Sequence, residues 1–358
     1  MVNLSTLASN VSKSGDNYSV TSHFGIPSDV EIASGETLTI NNGVTLTIPS
    51  GKTLTIASGG TLTNNGTIVN MGTLTATGTL TNNGTILDKN SSGEYTIDST
   101  NGGTSQTLNG DLTIVTNEAL RISSGETLTI ASGKTLKING TTGLAKTIIE
   151  NGGEIIVNGE LFVVAPRASR RYGKLNVETG GILTIASTGT LTISAELNNS
   201  GVIVKTGTIT INNSAASNAN GRLRNAGLVL DKSSNDLTFN NSHGGTSQTL
   251  NGDFTIASGE TLTIASTKTL TNNGIIVKIG TLTNNGTLTN PGLVLNKSGN
   301  DLTFNSDGGT SQTLNGNFTI YSGETLTIGS SETLTIASTK TLTNNGTLIS
   351  SGTITTTG

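Results

Sequence analysis

The side chains that could do chemistry are few in this chain. His23 and His243 are the only imidazoles among 358 residues, and there is no Cys. A thiolate nucleophile, a thiolate metal site and a disulfide are therefore all unavailable. His243 stands where sister repeats carry Asn101 or Asp307, an exchange that suits a turn residue. Acidic residues recur one per S-G-E corner, as Glu36, Glu126, Glu260 and Glu324, or in L-D-K turns, scattered along the coil. Cleavage of polysaccharides needs two carboxylates beside one cleft, and nucleophilic hydrolysis needs a base beside its Ser. No phosphate-cradling G-x-x-x-x-G-K-[ST] and no calcium-binding G-G-x-G-x-D repeat occurs. The expectation is a protein that is not an enzyme and holds no cofactor or metal.

Two groups of residues could bind rather than react. The first is a loop with Arg167, Arg170, Arg171 and Tyr172, in a chain whose six Arg all fall between Arg121 and Arg224. Arg and Tyr are common interface anchors, so the loop is a candidate binding element, with a solvated corner as the alternative. The second is the set of T-x-T triplets, such as Thr37 with Thr39, Thr45 with Thr47 and Thr53 with Thr55. On a strand such hydroxyls stand about 7 Å apart, and stacked strands would repeat them about every 4.8 Å.

The elements that position these residues follow from periodicity. Between residues 58 and 86, Leu62, Ile68, Leu74, Leu80 and Ile86 recur every six residues, and Gly66, Gly72, Gly78 and Gly84 close each run. In T-L-T the Leu points to one side and both Thr to the other. A strand this short cannot bury one Leu alone, so many must stack into a solenoid. Asn-Asn-Gly after the strand predicts a corner with positive φ. From Ala33 the repeat is an octad, A-S-G-E-T-L-T-I, with Leu38 and Ile40 or Leu46 and Ile48 facing inward, which predicts longer sides.

A larger module fixes the cross-section. G-G-T-S-Q-T-L-N-G appears at residues 102–110, 244–252 and 308–316, each copy preceded by a run such as Leu230-Asp231-Lys232. The last two copies begin at Gly244 and Gly308, with nine strand-like units between Phe254 and Phe318. Identical segments then fall on the same side if the coil has three sides and about 21 residues per rung. The fold expected is all-β, a single-chain three-sided parallel β-helix, right-handed by the commoner precedent. Residues 1–30 read as a cap or tether and 31–358 as a continuous solenoid. Modules lie near 51–114, 181–256 and 257–320, a partial copy covers 321–358, and insertions fall near 165–174 and 212–221.

Composition narrows the partners. The chain is 32% hydrophobic, 3% aromatic and carries a net charge of −4. That suits a narrow core and excludes a basic nucleic-acid surface. No apolar segment is long enough for a membrane helix, and residues 1–17 lack the features of a signal peptide. Sequons at Asn3, Asn17, Asn65, Asn83, Asn285 and Asn345 permit glycosylation. The last strands, around Leu348, Ile349 and Ile354, read as an open edge that would pair with a second copy head to tail, or with the rest of a longer fibre.

The strings T-L-T-I-x-S-G-x and T-L-T-N-N-G-T resemble the β-helix shafts of surface adhesins, viral tail fibres and extracellular filaments, over residues 31–358. That resemblance implies an elongated spacer outside the cell or on a virion, with cell-surface glycans among its possible partners. The T-x-T triplets also resemble the faces of ice-binding solenoids, which makes ice the alternative ligand.

Overall fold

The computed structural model describes residues 2–4, 11–140, 144–164, 173–212 and 221–357. The chain divides into two compact units. The first holds Met1–Asn176, Leu183–Leu197 and Gly207–Leu223, and the second holds Val177–Ile182, Asn198–Thr206 and Arg224–Gly358.

The rungs of the first unit follow the alternation read from the sequence. In Thr37–Ile40 both Leu38 and Ile40 are buried, while Thr37 and Thr39 face outward. A side chain such as Leu38 contributes about 1.5–3 kcal/mol on full burial, and here burial comes only from the rungs above and below. Three walls are visited in turn. Thr37–Ile40 stacks parallel on Thr61–Asn64, and that strand on Thr79–Asn82. Thr45–Ile48, Thr67–Asn70 and Thr85–Lys89 make the second wall. Val30–Ile32, Thr53–Ile56 and Thr73–Ala76 make the third. Overall the solenoid has about 22 residues per turn, close to the 21 expected.

Rung length varies, though not for the reason expected. Thr37 pairs with Thr61, a 24-residue rung, whereas Thr61 pairs with Thr79, an 18-residue rung. The strands themselves are four residues in both. The octad spends its two extra residues in the turn. Positive φ also belongs to the octads: Gly35 has φ +83°, whereas Gly66 in the Asn-Asn-Gly corner is not among the positive-φ glycines. Gly66 is required for space instead. A Cβ there would lie 2.3 Å from the Val44 carbonyl oxygen and 2.5 Å from that of Asn41.

Each module contains an antiparallel hairpin that the repeat count did not include. Thr85–Lys89 pairs with Glu94–Ile97, Leu228–Ser233 with Asp236–Phe239, and Leu293–Ser298 with Asp301–Phe304. Two of the nine units counted between Phe254 and Phe318, those around Val294 and Thr303, therefore share one wall.

The second unit shows what the hairpin does. One buried cluster contains Phe254, Leu262, Leu270, Ile276 and Val294, and the other contains Ile275, Leu293, Leu295, Leu302, Phe304 and Leu326. Ile275 and Ile276 are consecutive and point to opposite faces of their sheet. The chain thus encloses one face of this sheet before the hairpin and the other face after it. Strand direction and enclosed face both reverse, while the stacking order runs on through the sheet. The two reversals cancel, and the coil keeps its hand.

Candidate functional site

The junction left by the hairpin explains the Gln of the long repeat. In S-Q-T-L the Gln takes an inward position, and Gln106, Gln248 and Gln312 are all buried. A buried amide must be paired. The backbone N–H of Ile86 donates to Gln106 Oε1 at 2.6 Å, that of Val229 to Gln248 at 2.6 Å, and that of Val294 to Gln312 at 2.7 Å. Each Nε2 donates to two carbonyls of the preceding turn, as Gln312 does to Asn305 (3.2 Å) and Gly309 (2.8 Å). The side chain thus serves as the missing rung where the ladder breaks. The signal for this was legible, since three identical copies place a polar residue where the strand period demands an apolar one.

The acidic residues have structural partners as well. In the octad turns, Glu36, Glu126, Glu260 and Glu324 accept the N–H of Ala33, Ser123, Ala257 and Tyr321 through Oε2, three residues back. Turn glutamates also pair with the Lys of the L-D-K or L-N-K strand. Lys89 meets Glu118 at 2.5 Å, and Lys232 and Lys297 meet Glu260 and Glu324. The Lys297 ammonium holds the Glu324 carboxyl below the usual carboxylate range.

Neither histidine stands in a catalytic setting. His23 Nδ1 accepts the Thr45 N–H at 3.0 Å, and the His243 backbone N–H donates to Asn240 Oδ1 at 2.7 Å, within its turn. Burial lowers the pKa of the His243 imidazole. Among the described residues no group of three His, Cys, Asp or Glu side chains could hold a metal ion.

The other candidates fare differently. Arg167, Arg170, Arg171 and Tyr172 lie outside the described residues. The six Thr of the ice-binding alternative do not form one array. Thr37 and Thr39 stand on the first wall, Thr45 and Thr47 on the second, and Thr53 and Thr55 on the third. Consecutive octads turn a corner between strands, so triplets adjacent in sequence cannot share a face. The second wall breaks the hydroxyl pattern at the next rung, and the third carries it through two rungs only. Thr47 is in register with Val69, and Thr55 lies between Glu31 and Thr75. Only the first wall carries triplets through three rungs, where Thr37 and Thr39 align with Thr61 and Thr63, and those with Thr79 and Thr81. Leu348, Ile349 and Ile354 lie on edge strands, Thr347–Ser350 and Thr353–Thr356, with Ile349 52% and Ile354 38% exposed. The module ends inside the chain are edges too: Thr73–Ala76, Thr79–Asn82, Thr281–Asn284 and Thr287–Thr289 each end a sheet.

Short braced strands stacked into parallel walls define a structural β-solenoid of the kind that forms adhesin shafts. The haemagglutinin repeat family matches residues 156–241, 233–309 and 298–358, and the chain belongs to that family. No curated protein matches it. Among solved structures, the crystal structure of the TibC-catalyzed hyper-glycosylated TibA fragment is 14% identical. The match covers 96% of this chain and 95% of that one, with a TM-score of 0.17, a level that adds nothing to the fold already described. Among the described residues no helix is long and apolar enough to cross a membrane.

Proposed function

We propose that the chain is a fibre or adhesin shaft displayed outside the cell or on a particle, a spacer without enzymatic activity. The observation that carries this reading is that the chain braces its own rungs. Leu and Ile fill the core, Gln side chains mend the ladder at the junctions, and Glu side chains close the octad turns. What faces outward is chiefly Thr, Ser and Asn. Antibody labelling of intact cells or particles tests the reading. Surface label supports it, whereas label confined to permeabilised cells ends it. The loop with Arg167, Arg170, Arg171 and Tyr172 is the element that such a shaft would use for glycan contact. Deletion of residues 165–172 should abolish binding to glycan-bearing cells and leave the fold intact.

Head-to-tail assembly through Leu348, Ile349 and Ile354 would make the shaft a filament subunit. Negative-stain microscopy across a concentration series checks this, with filaments expected and single short particles at every concentration counting against it. An ice-binding reading gains one observation, the grid of Thr37, Thr39, Thr61, Thr63, Thr79 and Thr81 on one wall. Thermal hysteresis lost on Thr63→Tyr would support it, and round ice crystals with the wild-type chain would remove it.

A further inference from the structure

The repeats act as internal controls for one another, so a position where a single copy departs from its sisters calls for a reason. Tyr321 opens the octad Y-S-G-E, where other copies begin with Ala33 or Ala257. Ile279 precedes the Gly of a hexad, where other copies carry Thr206 or Ser351 and one other, Met71, is also large and apolar. Both departures are large, apolar and outward, with Tyr321 65% and Ile279 45% exposed. They meet in one cleft of the second unit, of about 170 Å³, whose wall also includes Val277, Leu302 and Phe318. Of the exposed large apolar side chains, Met71, Val115, Leu144, Ile349 and Ile354 do not line this cleft, whereas Tyr321 and Ile279 converge on it, and such convergence is the mark of a binding site.

The chemistry of the cleft selects the occupant. An exposed phenol ring offers a flat apolar face with a polar edge, and Ile279 gives a second apolar contact. Thr255 and Thr319 are lining residues, and a Thr hydroxyl can both donate and accept. The charged residues of the lining, Lys297 and Glu324, are already paired with each other. An ionised ligand would find no unpaired counter-charge there, so the ligand is neutral. The volume falls below the roughly 300–1,000 Å³ of sites for drug-sized molecules, which limits the site to one ring. A neutral ring with an apolar face and hydroxyls around its edge is a pyranose.

We propose that this cleft binds a single neutral saccharide ring, stacked on Tyr321 and hydrogen-bonded by Thr255 and Thr319. The site extends the shaft reading by giving the repeat surface itself a ligand, separate from the Arg-bearing loop.

Saturation-transfer NMR on the full chain, with the methyl glycosides of glucose, galactose, mannose and N-acetylglucosamine as probes, tests this. Transfer to at least one glycoside is expected, with millimolar affinity for so small a ligand. Tyr321→Ala should weaken binding at least about tenfold, Ile279→Thr should weaken it less, and Tyr321→Phe should retain it. Both positions are exposed, so unchanged circular dichroism and melting temperature should accompany these losses. Absence of transfer to all four glycosides overturns the proposal. So does transfer that survives Tyr321→Ala at full strength, which would place the ligand elsewhere, or Tyr321-dependent binding of indole without any glycoside. Surface labelling of the Tyr321→Ala chain should match wild type, so failure of the cleft and failure of the shaft reading are distinguishable.

Discussion

The octad turn and the hexad corner join strands of the same length in the same walls, yet they are specified in different ways. The octad turn closes on itself: Gly35 takes φ +83° with nothing within 4 Å of an added Cβ, and Glu36 returns to bond the Ala33 N–H. Its information is local. The hexad corner closes on its neighbours. Gly66 nests against the carbonyls of Asn41 and Val44 in the preceding rung, and Asn64 Nδ2 reaches Asn82 Oδ1 at 2.7 Å in the next one. The hexad corner also has a local bond, from the Gly66 N–H to Asn64 Oδ1 at 3.1 Å, but its glycine is demanded by the stack, whereas that of the octad turn at Gly35 is demanded by the turn itself.

The largest expected effect comes from filling the space that the hexad lacks. Gly66→Ala places a Cβ on the Val44 carbonyl and should cost about 3 kcal/mol, the upper range for overpacking. Gly35→Ala meets no atom and pays only for a left-handed conformation, about 1–2 kcal/mol. Denaturant midpoints of the two variants decide the matter, and equal losses would show that the two closures are not distinct.

Next comes the junction, where neither closure operates. Gln248→Leu removes the acceptor of the Val229 N–H and leaves a buried donor unpaired, at an expected cost of about 1–3 kcal/mol. Gln248→Glu keeps an acceptor oxygen but turns its second oxygen onto the Asn240 and Gly245 carbonyls, so the buried carboxylate should cost at least as much as the Leu variant at neutral pH. Amide exchange at Val229 should accelerate more in the Leu variant. Protection unchanged from wild type would mean that the Gln merely fills space.

A smaller effect sharpens the octad side. Glu260→Gln retains a side-chain acceptor for the Ala257 N–H and loses the charge facing Lys232. Paired charges with partial exposure are worth about 0–1 kcal/mol, so the melting temperature should fall slightly, and less at high salt. A salt-independent loss would assign the effect to the turn brace.

This contrast also accounts for what the sequence disclosed. Period six and period eight, with Leu38 and Ile40 inward and Thr37 and Thr39 outward, were legible because side-chain alternation is a property of one strand. The three-sided coil was legible in the count of strands, but not by the route expected: the three equivalent hairpins lie in three different sheets, so identical modules do not return to one side. Which triplets share a wall was harder to see: Thr47 and Thr55 repeat the pattern of Thr39 in sequence, but the rungs above and below them decide what each one faces. The conformation of Gly66 was not legible at all. Asn-Asn-Gly suits positive φ as a local string, and only the carbonyls of another rung show that the glycine is there for lack of a Cβ. The hairpins were hidden for a related reason. Leu87-Asp88-Lys89 looks like any strand end, and its antiparallel partner Glu94–Ile97 is itself a regular alternating strand. Tyr321 and Ile279 were visible as departures from their repeats, but their meeting in one cleft depends on how the rungs stack.

The smallest effect concerns the corner that follows each junction. Asp111 Oδ1 accepts the N–H of Thr135 and Asn317 Oδ1 that of Thr341 in equivalent N-G-[D/N] corners. Asp253 holds the same place, bonded to the Ile275 backbone N–H, and burial raises its pKa to about 6. The folded chain therefore binds this proton more tightly than the unfolded chain, whose Asp has a pKa near 3.8. The neutral form favours folding, so the contribution is full below about pH 4, declines as pH rises, and is gone above about pH 6. Asp253 keeps an exposed surface, and solvent screening holds the change to under about 1 kcal/mol. Asp253→Asn, the residue already used at Asn317, should remove this slope, so that melting temperatures of wild type and variant diverge between about pH 4 and 6 with wild type falling. A variant whose pH profile parallels that of wild type would show that the Asp253 carboxylate is solvated after all, and that this corner, unlike the Lys-paired octad turns, is indifferent to charge.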